Sequence, residues 1–96
     1  MNFEAVKAWQ AQRNIGMVMA PLLVAAGIEV ADLHSQSVED IFLKFWSYHQ
    51  NPRYLNANYL YALHGAKHDC DWLDLSAAQK AKYRQFLSDL KASWQR

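Results

Sequence analysis

The strongest structural signal in the chain lies in residues 38–65, VEDIFLKFWSYHQNPRYLNANYLYALHG. This stretch holds about half of the Phe, Tyr and Trp residues of the protein, and rings of this size dominate the energetics of cores and interfaces. Asn51 and Pro52 divide it, because Asn is a good helix N-cap and Pro is favoured at the first helical position. The stretch therefore predicts two helices, over residues 38–50 and 52–64.

The first of these helices, residues 38–50, is amphipathic. Residues three or four positions apart share one largely apolar face, which consists of Val38, Ile41, Phe42, Phe45, Trp46 and His49. Ser37 is the expected N-cap, and Glu39 and Asp40 in the first turn suit the positive end of the helix. Leu43 lies on the opposite, polar side.

The second helix, residues 52–64, is apolar on two sides. One side takes Leu55, Tyr59, Ala62 and Leu63, and the other takes Tyr54, Ala57 and Tyr61, with Asn58 among them. Such a helix is either central in a bundle or keeps one face for a partner. Because Tyr is enriched at interfaces, we expect the Tyr-rich side to be the contact surface. Gly65 is the expected terminator of the helix.

The remaining chain has the composition of a folded helical protein. Hydrophobic residues make up 52% of the 96 residues, charged residues make up 20%, and Gly and Pro are few, which favours helix. Further helices are predicted over residues 3–14 and 17–26 and after Ser76, and Gly27 is predicted to end the second in a left-handed conformation. We therefore predict an all-α fold, a compact single-domain bundle of four to five helices over residues 1–96.

Charge, cysteine content and hydropathy restrict the class of protein. The net charge is +1 at pH 7, so the whole-molecule charge favours neither nucleic acid nor an acidic surface as partner. The single cysteine, Cys70, has no second cysteine to pair with, which is typical of a reducing compartment. The longest apolar run, residues 15–28, is shorter than the about 20 residues that a membrane-spanning helix needs. We expect a cytoplasmic protein with no membrane association.

Ligand-type side chains are densest between residues 64 and 74. His64 and His68 would lie one helical turn apart if the helix continued through Gly65, and Cys70 follows them. A metal site formed by His64, His68 and Cys70 is therefore an alternative hypothesis, although the segment lacks the Cys-x-x-Cys spacing of known zinc sites. No cofactor is expected, and no catalytic motif is found, so we expect no enzyme activity.

The C-terminal helix is the only basic element of the chain. Its cations are Lys80, Lys82, Arg84 and Lys91, and phosphate contacts require such residues. Nucleic-acid binding by a regulator that uses this helix is a second alternative. Residues 21–33 also have a pattern similar to a helix-turn-helix around Gly27, but the segment that would read the bases carries Glu29 and Asp32 and no Arg or Lys.

A protein-binding role agrees best with these observations. The chain has no catalytic motif, a high aromatic content and helices that are apolar on more than one face. We expect a small non-enzymatic protein-binding module, acting as an adaptor, inhibitor or regulator of a larger protein or pairing with itself as a homodimer. The expected contact residues are Leu43, Tyr54, Asn58, Tyr61 and Trp94. Nucleic acid is the less favoured partner.

Overall fold

Local capping signals set the boundaries of most helices. The computed structural model describes residues 2–94, with the side chain of Trp94 left out. Within these residues the six α-helices are Phe3–Gln10 (α1), Met19–Ala25 (α2), Val30–Ser35 (α3), Val38–His49 (α4), Ala57–His68 (α5) and Ala77–Trp94 (α6). Two 3-10 turns, Pro52–Tyr54 and Trp72–Asp74, precede α5 and α6, and the described residues contain no strand. The predicted all-α bundle is confirmed.

The buried indole of Trp9 connects α1 to the turn between α2 and α3. Its Nε1 donates to the carbonyl oxygen of Ile28 at 2.9 Å. Gly27, with φ of +74°, ends α2 as predicted. The N–H of Ile28 then donates back to the carbonyl oxygen of Leu23 at 3.1 Å, which is the Schellman pattern expected of a left-handed glycine.

The amphipathic helix α4 follows the prediction closely. Ser37 Oγ accepts from the N–H of Asp40 at 3.1 Å, which confirms the N-cap. The predicted apolar face is buried at Val38, Ile41, Phe42, Phe45 and Trp46. This face packs α4 against α5 and α3, so the aromatic residues of α4 form the centre of the core.

The start of α5 was predicted five residues too early. Asn51 does act as a cap, but only of the 3-10 turn Pro52–Tyr54. The α-helix begins at Ala57, because Asn56 supplies a second cap, with its Oδ1 accepting from the N–H of Asn58 at 2.9 Å. Two Asn caps within one short segment allowed either boundary.

The end of α5 was also predicted wrongly, since Gly65 lies inside the helix. The helix continues to His68, and Asp69, with φ of +52°, ends it. Position 65 has no room for a side chain, because the side chain of Asn14 crosses directly over it. Asn14 Nδ2 donates to the carbonyl oxygen of Cys70 at 2.9 Å. A Cβ on Gly65 would overlap Asn14 Nδ2 and lie 2.5 Å from the Cys70 oxygen. A close approach, not a turn, therefore explains this glycine.

The last helix, α6, packs along α5. Ser76 Oγ accepts from the N–H of Gln79 at 3.1 Å, as its predicted capping role requires. Tyr83 and Leu87 are buried against the bundle. Among the described residues, none of the helices combines the length and the apolar character needed to cross a lipid bilayer.

Candidate binding groove between α5 and α6

An open groove of about 480 Å³ lies between the start of α5 and the C-terminal half of α6. Its apolar floor consists of Leu55, Ala57 and Leu87, and its wall on α6 consists of Arg84, Ser88 and Lys91. Both leucines are buried in the core, so the floor is held in place by the packing of the bundle. The volume is within the range of about 300–1,000 Å³ that is typical of ligand sites.

Of the four cations proposed for nucleic-acid binding, three share one side of α6. Successive residues of a helix are about 100° apart, which places Lys80, Arg84 and Lys91 within about 40° of one another. Arg84 and Lys91 line the groove. Arg84 Nη1 donates to the hydroxyl of Tyr61 at 3.4 Å, and Lys80 Nζ lies 6.0 Å from the centre of the Tyr61 ring. These contacts hold two of the three cations against the buried face of α5.

Among residues 2–94, no carboxylate pairs with the cations that line the groove. The lining contains neither Asp nor Glu. Across the described part of the chain, one ion pair is closer than 4.0 Å, and it joins Lys82 Nζ to Glu39 Oε2 at 3.9 Å. Lys82 therefore belongs to the contact with α4 and not to the groove. The acid of α6, Asp89, accepts from Gln85 Nε2 at 2.9 Å. The groove therefore presents positive charge to solvent.

The predicted contact residues fall in several environments. Asn58 is exposed in the first turn of α5, next to the groove residue Ala57. Tyr61 is buried, with 7% of its surface exposed, and reaches the groove only through its hydroxyl contact with Arg84. Tyr54 and Leu43 are half-buried, and the Tyr54 ring packs on the interior of the bundle. The side chain of Trp94 lies outside the described residues. A binding role for these five residues stays a prediction.

Outside the groove, His64 of α5 contacts Tyr83 of α6. His64 Nδ1 lies 2.7 Å from the hydroxyl oxygen of Tyr83. The ring centres of His64 and His68 are 4.4 Å apart, because α5 continues through Gly65. Burial, and secondly the proximity of His68, lower the pKa of His64 below its ordinary value of 6.5. Burial raises the pKa of Tyr83.

The structure does not assemble the predicted metal site. Within residues 2–94, no group of three or more His, Cys, Asp and Glu side chains is placed to hold a metal ion. His64 and His68 do come together, but Cys70 does not complete a site with them. The backbone N–H of Cys70, just after the C-cap Asp69, donates to the carbonyl oxygen of Gly65 at 2.9 Å.

Acidification should destabilise the protein through His64. The pKa of this histidine is lower in the folded protein than the ordinary value of 6.5 expected on unfolding. The unfolded chain therefore binds more protons between the two values, and stability is lost as the pH falls from 6.5 through the folded pKa. Urea midpoints should fall between about pH 7.5 and 5, and they should fall less in His64→Gln. The exposed His34→Gln is the control, and an equal fall in all three proteins would contradict the prediction.

Two of three comparisons with known proteins found a match. The family model described as the TfoX C-terminal domain matches residues 7–87, which include α2 to α5 and most of α6. The fold is similar to the crystal structure of an uncharacterized protein from Listeria monocytogenes, with a TM-score of 0.74 and 30% sequence identity. That similarity covers 86% of this chain and 92% of the Listeria chain. The comparison with curated proteins gives no significant match.

Proposed function

The chain belongs to the TfoX C-terminal domain family, and we propose that it is a small non-enzymatic protein-binding module, an adaptor, inhibitor or regulator of a larger protein. The groove between α5 and α6 carries this proposal. It combines an apolar floor with exposed cations that no carboxylate in the lining balances. Protein interfaces likewise combine an apolar centre with a polar rim, and Arg is enriched in them.

The position of Arg84 adds support. Arg is among the residues that dominate binding energies at interfaces. The hydrogen bond to Tyr61 restricts the guanidinium before any partner arrives, so less side-chain entropy is lost on binding. The groove is also built on two regular helices, which position side chains better than loops do. Large apolar side chains are also exposed at Met17, Val18 and Leu73, outside the lining of the groove.

Site-specific photo-crosslinking in the native host would test the proposal. A photo-reactive amino acid replaces Ser88 in the groove wall of the full chain, and the same amino acid replaces the exposed Ser47 on α4 as control. We expect a discrete protein adduct from position 88 and none from position 47. An adduct with a second copy of the chain would contradict a larger partner and support the homodimer instead. The absence of an adduct at position 88, or equal adducts at both positions, would refute it.

Nucleic-acid binding is the second candidate function. The observation in its favour is the row of Lys80, Arg84 and Lys91 on one side of α6, without balancing carboxylates. The net charge of +1 argues against it, because nucleic-acid-binding domains are strongly basic as a whole. Digestion of the photo-adduct distinguishes the two candidates. An adduct that nuclease trims to about the size of the chain alone supports nucleic acid, whereas an adduct that resists nuclease supports a protein partner.

A further inference from the structure

We infer that the groove between α5 and α6 binds an acidic amphipathic segment of the protein partner, whose carboxylates meet Arg84 and Lys91 while its apolar side chains cover Leu55 and Leu87. This inference rests on the proposed function and adds the chemistry of the partner. It is argued from the charge of the wall, the spacing of the cations and the apolar floor.

The positive charge of the α6 wall favours a negatively charged partner segment. Arg84 and Lys91 are exposed on α6, and Lys80 continues the row towards the start of the helix. Lys91 is exposed and makes no hydrogen bond or ion pair to residues 2–94. A basic or neutral segment would leave these cations without counter-charges or would be repelled. An acidic segment gains an ion pair at each.

The spacing of the cations indicates where the acids should lie. Arg84 and Lys91 are seven residues apart on α6, which is about 10 Å along the helix axis, and Lys80 lies about 6 Å further on. Two carboxylates seven residues apart on a partner helix reproduce the longer distance. A helix in this register also turns one apolar face to the groove, as in other helix-in-groove contacts.

The apolar floor of the groove favours a peptide over nucleic acid as the ligand. Leu55, Ala57 and Leu87 lie between the rim of α5 and the cations of α6. A sugar–phosphate backbone would pair with the cations but gain nothing from the small apolar area that Leu55, at 7% exposure, and Leu87, at 6%, leave accessible beside the half-buried Ala57. An amphipathic segment satisfies both parts of the groove, because burial of apolar side chains accompanies the ion pairs.

Binding of three labelled peptides to the purified full chain tests the inference. Each is about 18 residues long, enough for about 27 Å of helix. The first has Leu on one face and Glu on the other, the second replaces Glu by Lys, and the third replaces Leu by Ser. Fluorescence anisotropy should detect binding of the first peptide only, and added salt should weaken it. Equal binding of the Lys peptide, or tighter binding of a single-stranded oligonucleotide, would overturn the inference.

Charge reversals locate the site. Arg84→Glu and Lys91→Glu should each weaken binding of the Leu/Glu peptide at least about tenfold. Lys7→Glu makes the same change in net charge on α1, outside the groove lining, and should have little effect. Because Lys91 is exposed and makes no hydrogen bond or ion pair to residues 2–94, its variant should remain folded, which circular dichroism can verify. Unchanged binding in Lys91→Glu would overturn the inference. If none of the three peptides binds but a protein adduct still forms at position 88, the inference of an acidic partner segment is wrong and the proposed protein-binding function stands.

Discussion

Phe45→Ala should lower the free energy of unfolding by about 4 kcal/mol, within the range of about 3–5 kcal/mol seen when a buried Phe is truncated. The side chain has 0% of its surface exposed. Its ring centre lies 5.0 Å from that of His49, 5.4 Å from Tyr54 and 5.7 Å from Tyr59. A fourth ring centre, that of Phe42, lies 6.2 Å away. Truncation therefore leaves a cavity and removes four ring–ring contacts at once.

Urea unfolding followed by circular dichroism measures this change. Tyr48→Ala is the matched control, since Tyr48 lies on the same helix and is 60% exposed, and it should alter stability by no more than about 0.5 kcal/mol. If Phe45→Ala is too unstable to purify, Phe45→Leu should still cost about 1–2 kcal/mol. A cost below about 1 kcal/mol for Phe45→Ala would mean that this ring is not the centre of the core.

Short-range signals predicted much of the fold. Ser37, Ser76 and Gly27 act where the sequence placed them, because a cap or a left-handed glycine depends on the next few residues alone. The buried face of α4 was also predictable, since helical spacing determines which side chains share a face. These successes cover α4, the end of α2 and the start of α6.

The boundaries of α5 depended on contacts distant in sequence. Asn51 and Asn56 were equally good caps, and the ring of Tyr54 packs against Phe45 on α4, which favours an irregular segment before the helix. The role of Gly65 depended on Asn14, on a loop that no periodic pattern connects to α5. Only the tertiary packing selects between such alternatives.

The groove was predictable in part. The row of Lys80, Arg84 and Lys91 is present in the sequence, and the helical angle alone separates it from Lys82. The apolar floor was not predictable, because Leu55 and Leu87 become neighbours only when α6 packs on the start of α5. Sequence patterns thus identified the charges of the candidate site but not the cavity between them.

Gly65→Ala should destabilise the protein by about 2–3 kcal/mol, by forcing atoms apart in a packed contact. The direction is opposite to the ordinary effect, since Ala in a helix interior is more favourable than Gly by about 1 kcal/mol. The added Cβ would overlap Asn14 Nδ2 and lie 2.5 Å from the Cys70 carbonyl oxygen, which is backbone and cannot rotate away. The hydrogen bond from Asn14 to that oxygen would also be lost.

A double-mutant cycle separates the two contributions to the cost of Gly65→Ala. Asn14→Gly keeps the left-handed backbone at φ of +69° and removes the side chain that crosses the helix. The pair Asn14→Gly and Gly65→Ala should therefore be less destabilising than the sum of the single changes, with the Cys70 oxygen responsible for the remaining cost. Gly16→Ala, where a Cβ has no neighbour within 4 Å, is the control and should change stability little. Additive effects in the cycle, or a more stable Gly65→Ala protein, would show that Asn14 does not dictate the glycine and that α5 has room for a side chain there.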